Sequence, residues 1–149
     1  MDLRVDCFRC RNTSLLEDPE QLRQCMLDIA EVGGMHCFGE PQIVDYPFPM
    51  QTNQSKPALS AVLFLGESSL VVHTYPEEDT VFMNVFHCLP FDADKVFVWI
   101  VNRFKMEFEF IDADLTDRGL DPSTGCPMWS RPLEWGKDKV LRRTGSVIS

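Results

Sequence analysis

The sequence predicts an α+β two-layer sandwich, a mainly antiparallel β-sheet with helices packed on one face. Two amphipathic helical segments stand far apart, short alternating strands fill the space between them, and 149 residues at 44% hydrophobic content suit one compact domain. A chain of this length buries roughly two-thirds of its unfolded surface, so no disulfide or metal staple is needed.

Leu3, Val5 and Cys7 alternate with Arg4, Asp6 and Phe8, which predicts a half-buried strand over Asp2 to Cys10. A polar turn then leads to a helix capped by Asp18 with Pro19 at its first position. Leu22, Cys25, Met26, Ile29 and Ala30 fall on one face of that helix, and Gly33-Gly34 ends it. Met35 to Val44 reads as a second, irregular strand. Pro47, Pro49 and Pro57 mark the stretch from Tyr46 to Pro57 as loop, because proline cannot donate to a ladder. Ala58 to Leu65 is an apolar strand, Gly66-Glu67-Ser68-Ser69 interrupts it, and Leu70 to Thr74 resumes it. A further strand runs from Thr80 to Cys88, with Val81, Met83 and Val85 alternating with Phe82, Asn84 and Phe86. Asp92 caps a second helix to about Phe104, whose stripe is Val96, Phe97, Ile100, Val101 and Phe104. Lys105 to Ile111 alternates again as a last strand, giving the order β-α-β-β-β-β-α-β. Past Asp117, glycines and prolines remove periodicity. Residues 1–117 are therefore expected to form the domain, and 118–149 an irregular C-terminal extension, partly docked through Trp129, Leu133 and Trp135.

The charge balance narrows the function. With 14 Lys and Arg against 23 Asp and Glu the net charge is −9, which disfavours nucleic-acid or anionic-membrane partners and favours a cationic small-molecule substrate. The last nineteen residues are net basic, so the body is more acidic than the average. No apolar run reaches the length of a membrane span, and the start lacks the charged and apolar regions of a signal peptide. A cytoplasmic protein with reduced thiols is expected. Of the six cysteines (Cys7, Cys10, Cys25, Cys37, Cys88, Cys126), Cys7 and Cys10 have CxxC spacing. In a strand, positions three apart point to opposite faces and no second ligand pair follows, so the two read as structural and no metal is expected.

The chemistry concentrates between Leu65 and Cys88. Ser68 is a nucleophile candidate at a strand break, His73 follows five residues on, and Cys88 fifteen beyond that. Spacing alone leaves two readings open: three reactive groups sharing a pocket, or an ordinary turn serine, a core histidine and a small hydrophobic thiol.

Glu67-Ser68, then His73-Thr74-Tyr75-Pro76-Glu77, then Cys88 in register resembles the small prokaryotic type of S-adenosylmethionine decarboxylase proenzyme, a pyruvoyl-dependent family. The likeness extends to the order of strands and helices over roughly Asp2 to Asp112 and leaves the tail unaccounted for. It implies self-cleavage between Glu67 and Ser68, with Ser68 becoming the pyruvoyl group that forms a Schiff base with substrate. It further implies His73 as the processing residue, Cys88 as proton donor, and Tyr75 and Glu77 as the substrate-binding positions for adenine and ribose. A homodimer of processed chains and a place in polyamine (spermidine) biosynthesis go with it. Ser69, Asn84, His87 and the long Asp45–Pro57 loop depart from the family pattern, and Tyr46 or Phe48 is the candidate for a second adenine-stacking aromatic. These departures bear on the pocket walls, so two alternatives stay open: a pyruvoyl-dependent arginine or ornithine decarboxylase, and a catalytically silent regulatory relative.

Overall fold

The structure is a computed structural model that describes residues 1–46, 56–120 and 127–132. Its elements are β1 (Asp2–Cys7), α1 (Ser14–Glu17), α2 (Pro19–Val32), β2 (Gln42–Tyr46), β3 (Ala58–Phe64), β4 (Ser69–Tyr75), β5 (Thr80–Phe86), α3 (Ala93–Arg103), β6 (Ile111–Leu120) and β7 (Pro127–Pro132). The seven strands form one antiparallel sheet in the order β2-β3-β4-β5-β1-β6-β7. β1 lies between β5 and β6, so the connection through α3 must cross over it. The α+β class read from the sequence is the one the chain adopts.

Period-two alternation sorts the sheet into two faces. Leu3, Val5, Leu59, Ala61, Leu63, Leu70, Val72, Val81, Met83, Val85, Ala113 and Leu115 are buried in one cluster with the helix residues Leu15, Leu22, Met26, Ile29, Phe97 and Ile100. Among the described residues the other face carries no helix, and it is where His73 and Tyr75 stand. The helix ends obey their caps. Asp18 accepts from the amides of Glu20 and Gln21, and Asp92 accepts from Lys95, which satisfies donors a helix cannot pair internally.

Several boundaries differ from the expected ones. β1 stops at Cys7, because Arg9 adopts a left-handed φ of 66° and turns the chain. Cys7 and Cys10 are therefore both buried, with the Cys10 thiol directed at the Cys7 carbonyl, and the opposite-face expectation is corrected. The expected strand over Lys105 to Ile111 is instead a turn with Lys105 at φ 50°, followed by a single 3-10 turn, Phe108–Phe110. The strand begins only at Ile111, where β1 offers a partner edge. Leu15 and Leu16 form a one-turn helix, α1, where a plain turn was expected. Strand structure within 35–44 is confined to Gln42 onward. At the other end, β6 runs past Asp117 to Leu120 and pairs with β7. Pro127 and Pro132 sit at the ends of this edge strand, where a missing donor is tolerated. Cys126, Leu133 and Trp135 lie outside the described residues.

Among the described residues all five cysteines are free. Burial pushes the Cys25 thiol up to about 12 from an ordinary value near 9. A raised folded-state value means the native state holds the proton where the unfolded chain releases it. The stabilisation is therefore complete below pH 9 and fades as pH rises from 9 toward 12. Unfolding free energies from denaturant titrations between pH 8 and 11 should fall, by up to about 1.4 kcal/mol per pH unit from this group, and Cys25→Ala should flatten that decline.

Candidate active site

The site begins with a turn. The Leu65 N–H donates to the Ser68 carbonyl at 2.8 Å, leaving Gly66 and Glu67 as a two-residue loop between β3 and β4. Gly66 has φ 73° and Glu67 does not share it, the pattern of a type II′ hairpin turn, in which only glycine is at ease in the first central position. Phe38 covers it. The Phe38 amide donates to the Phe64 carbonyl at 2.9 Å, and a methyl group at Gly66 would stand 3.3 Å from the Phe38 ring.

A two-residue turn dictates everything paired behind it. Phe64 faces Ser69, and Ser60 faces His73. On the other side β4 pairs with β5 so that Ser69 faces Phe86, which carries the chain after β5 back past Ser68. There the Cys88 amide donates to Ser68 Oγ at 2.8 Å. Ser68 is only 4% exposed, while the Cys88 thiol is exposed. The structure thus brings Ser68 and Cys88 together through the Cys88 backbone.

His73 keeps other company. It projects from the helix-free face, and its Nδ1 lies 2.9 Å from Ser60 Oγ. If Nδ1 donates in this bond, Nε2 is left with its lone pair available. Ser60 is a site residue the sequence analysis did not single out. Counting back across a two-residue turn at Gly66-Glu67 pairs it with His73, and that count is the signal that identifies it.

Tyr75 is half-buried, edge-on to Phe82 at 5.5 Å between ring centres, and Phe82 is edge-on to Phe8 at 5.9 Å. A 3-10 turn, Pro76–Glu78, presents Glu77 to solvent, where its carboxylate accepts the Lys56 amide at 2.7 Å. Between His73 and Tyr75, Thr74 turns into the core. Of the remaining departures, Asn84 donates to Asp2, and His87 Nδ1 lies 2.8 Å from the Leu89 carbonyl with its ring edge-on to Phe91. The side chains of Tyr46 and Phe48 lie outside the described residues.

On β1 and β6 the helix-free face is charged. Arg4 meets Asp6, Asp112 and Asp114, and the hydrogen bond to Asp112 leads in raising the guanidinium above its ordinary value. Among the described residues no cluster of three or more His, Cys, Asp or Glu is placed to hold a metal ion, and no helix is long and apolar enough to cross a membrane.

A sheet with helices on one side and a buried serine in a tight hairpin turn, its hydroxyl accepting the backbone amide of an exposed cysteine, define a class: small α+β proteins built around a turn serine. The family model of S-adenosylmethionine decarboxylase matches residues 1–114, and the chain belongs to that family. It is 26% identical to the S-adenosylmethionine decarboxylase proenzyme of Pyrococcus furiosus over 143 residues, 95% of this chain and 93% of the relative. It is 26% identical to the proenzyme of Thermococcus onnurineus over 97% of this chain and 94% of that one. The Aeropyrum pernix proenzyme is 31% identical over 81 residues, about half of each chain. Both long alignments run past Asp117, so the tail that the motif left unaccounted for has counterparts in those relatives. In fold, the chain is similar to the crystal structure of the adenosylmethionine decarboxylase from Aquifex aeolicus, with a TM-score of 0.59 at 14% identity, over 75% of this chain and 83% of the other.

The turn carries its own test. Gly66→Ala places a Cβ at a left-handed φ and against the Phe38 ring, and should destabilise the protein by about 1 kcal/mol or more. A chemical-denaturation midpoint equal to that of the unaltered protein would show that the turn is not held in this conformation.

Proposed function

We propose that the chain is a self-cleaving, pyruvoyl-dependent S-adenosylmethionine decarboxylase, which supplies the aminopropyl donor for spermidine synthesis. The observation that carries it is the Ser68 hydroxyl, buried beside the Glu67–Ser68 bond in a tight turn and held by the Cys88 amide.

Self-cleavage follows from those groups. Ser68 Oγ is joined to the Glu67 carbonyl carbon through only Cβ, Cα and N of its own residue, and the turn limits the freedom that must be lost before attack. Attack moves the acyl group from nitrogen to oxygen, turning an amide into an ester. His73 removes the Ser68 α-proton while the Cβ–O bond breaks, so Glu67 departs as a carboxylate. Ser60 holds the imidazole so that Nε2 is the basic nitrogen. The dehydroalanine left at position 68 takes up water and releases ammonia, which makes the pyruvoyl group. When formed, that group supplies a ketone able to condense with the substrate amine and accept the electrons left by carbon dioxide.

The other residues serve substrate. Tyr75, steadied by Phe82, offers an aromatic face to adenine. Glu77 accepts from the ribose hydroxyls, and the exposed Cys88 thiol returns a proton to the substrate carbon. The acidic body favours the cationic sulfonium. We further read the working form as a cytoplasmic homodimer. The exposed Phe8, Val44 and Phe64, with half-buried Val62, Val71, Phe82 and Phe86, give the helix-free face apolar surface for a second copy to cover.

Two measurements test the reading. Purified protein should run on a denaturing gel as two chains, residues 1–67 and 68–149, and Ser68→Ala should remain a single chain; an uncut wild-type chain would support a silent, regulatory relative instead. In the cleaved enzyme, Glu77→Gln should raise KM for S-adenosylmethionine about tenfold with kcat nearly unchanged, the signature of a weakened charge-assisted hydrogen bond. An unaltered KM together with turnover of arginine or ornithine would replace this substrate by an amino acid.

A further inference from the structure

We propose that Thr74 is a positioning residue for substrate: its hydroxyl ends the β3–β4 ladder and so sets Tyr75 and Glu77 in place. The inference rests on the nucleoside-binding role proposed for those two residues.

The β3–β4 pairing stops at Ser60 and His73, whereas β4–β5 pairing continues two residues further, to Tyr75 and Thr80. By the count of the hairpin, Leu59 comes next, opposite Thr74. Its amide donates instead to Thr74 Oγ1, at 3.1 Å. The Thr74 hydroxyl in turn donates to the Leu16 carbonyl, at 2.8 Å. Leu16 belongs to the four-residue helix α1, and carbonyls at a helix end have no partner within the helix. Thr74 is 1% exposed, so water cannot stand in for either bond.

One hydroxyl therefore satisfies a strand donor and a helix acceptor at once, and it lets the two strands part without leaving a buried polar group unpaired. Tyr75, freed from β3, takes φ −131° and ψ 83°, and the chain turns into Pro76–Glu78. That turn brings Glu77 to the Lys56 amide. Cleavage at Glu67–Ser68 gives the joint a second task. Leu16 and Leu59 then belong to one chain, and Thr74, Tyr75 and Glu77 to the other, so the placement of the binding residues passes through non-covalent bonds at Thr74. A β-branched side chain suits this, since its rotamer is restricted.

Thr74→Val removes the hydroxyl at constant shape, and Thr74→Ser retains it. Both should self-cleave, because His73 and Ser60 lie on the intact side of the ladder. Thr74→Val should raise KM for S-adenosylmethionine about tenfold with kcat within about threefold, and Thr74→Ser should restore KM to within about threefold of wild type. An unchanged KM in the valine variant, a parallel fall of kcat, or equal defects in both variants would overturn the positioning role. So would a valine variant that fails to fold, which would make Thr74 a determinant of the fold. A second readout does not depend on the substrate. In uncleaved Ser68→Ala protein, amide hydrogen exchange at Leu59, Tyr75, Glu77 and Glu78 should quicken with Thr74→Val and not with Thr74→Ser; unchanged exchange overturns the proposal. If wild type cleaves but does not decarboxylate S-adenosylmethionine, the substrate reading fails while the exchange result still decides whether Thr74 places this segment.

Discussion

The two-residue turn at Gly66-Glu67 is the constraint on which the candidate site depends. A left-handed φ at Gly66 lets β3 double back at once, and an antiparallel pair closed by so short a loop has no freedom of register. Ser60 must then face His73. The β4–β5 register sets the chain beyond Phe86 beside the turn, and the Cys88 amide reaches Ser68 Oγ. A slip of one residue would send His73 and Tyr75 into the core and Thr74 out of it. The placement of Ser68, His73 and Tyr75 thus follows from one glycine-dependent reversal, and that of Cys88 from the β4–β5 register behind it.

The two faces of the sheet differ in what they contribute to stability. On one, the helices and the alternate residues of β1, β3, β4, β5 and β6 make a continuous apolar core, and burial of that surface drives folding. The other face contributes little of this kind. Its ion pairs around Arg4 have side chains from about a fifth to more than two-thirds exposed, and pairs so placed are worth little to stability because water screens them. His73 and Tyr75 stand on that face, outside the apolar core. Thr74 is buried in the core by its position in β4, and its hydroxyl bonds the Leu59 amide and the Leu16 carbonyl at the end of that strand.

Much of this was legible in the chain. Alternation at Leu3–Cys7 and Val81–Val85, and the caps Asp18 and Asp92, locate strands and helices because those signals act within a few residues. The motif around Ser68 was legible for the same reason. The errors fell where the local pattern had two outcomes. Lys105 to Ile111 alternates like a strand, yet Lys105 adopts a left-handed turn and only from Ile111 does β1 supply a partner. Cys7 and Cys10 have a spacing that separates them in a strand and unites them once Arg9 turns the chain. β7 was not anticipated, since its prolines argue against a strand everywhere except at an exposed edge.

By itself, then, the sequence determined the fold class, the capped helices, the turn, and the identity of Ser68, His73, Cys88, Tyr75 and Glu77 as the residues to examine. Only the tertiary structure decided what each of them touches. It set β1 between β5 and β6, gave His73 to Ser60 rather than to Ser68, and bound Thr74 to Leu16, 58 residues away. The physical reason is range. Periodicity, capping and turn chemistry are settled by neighbouring residues, whereas strand order and cross-strand partners are chosen by burial of the whole apolar surface, a property that no short stretch of the chain possesses.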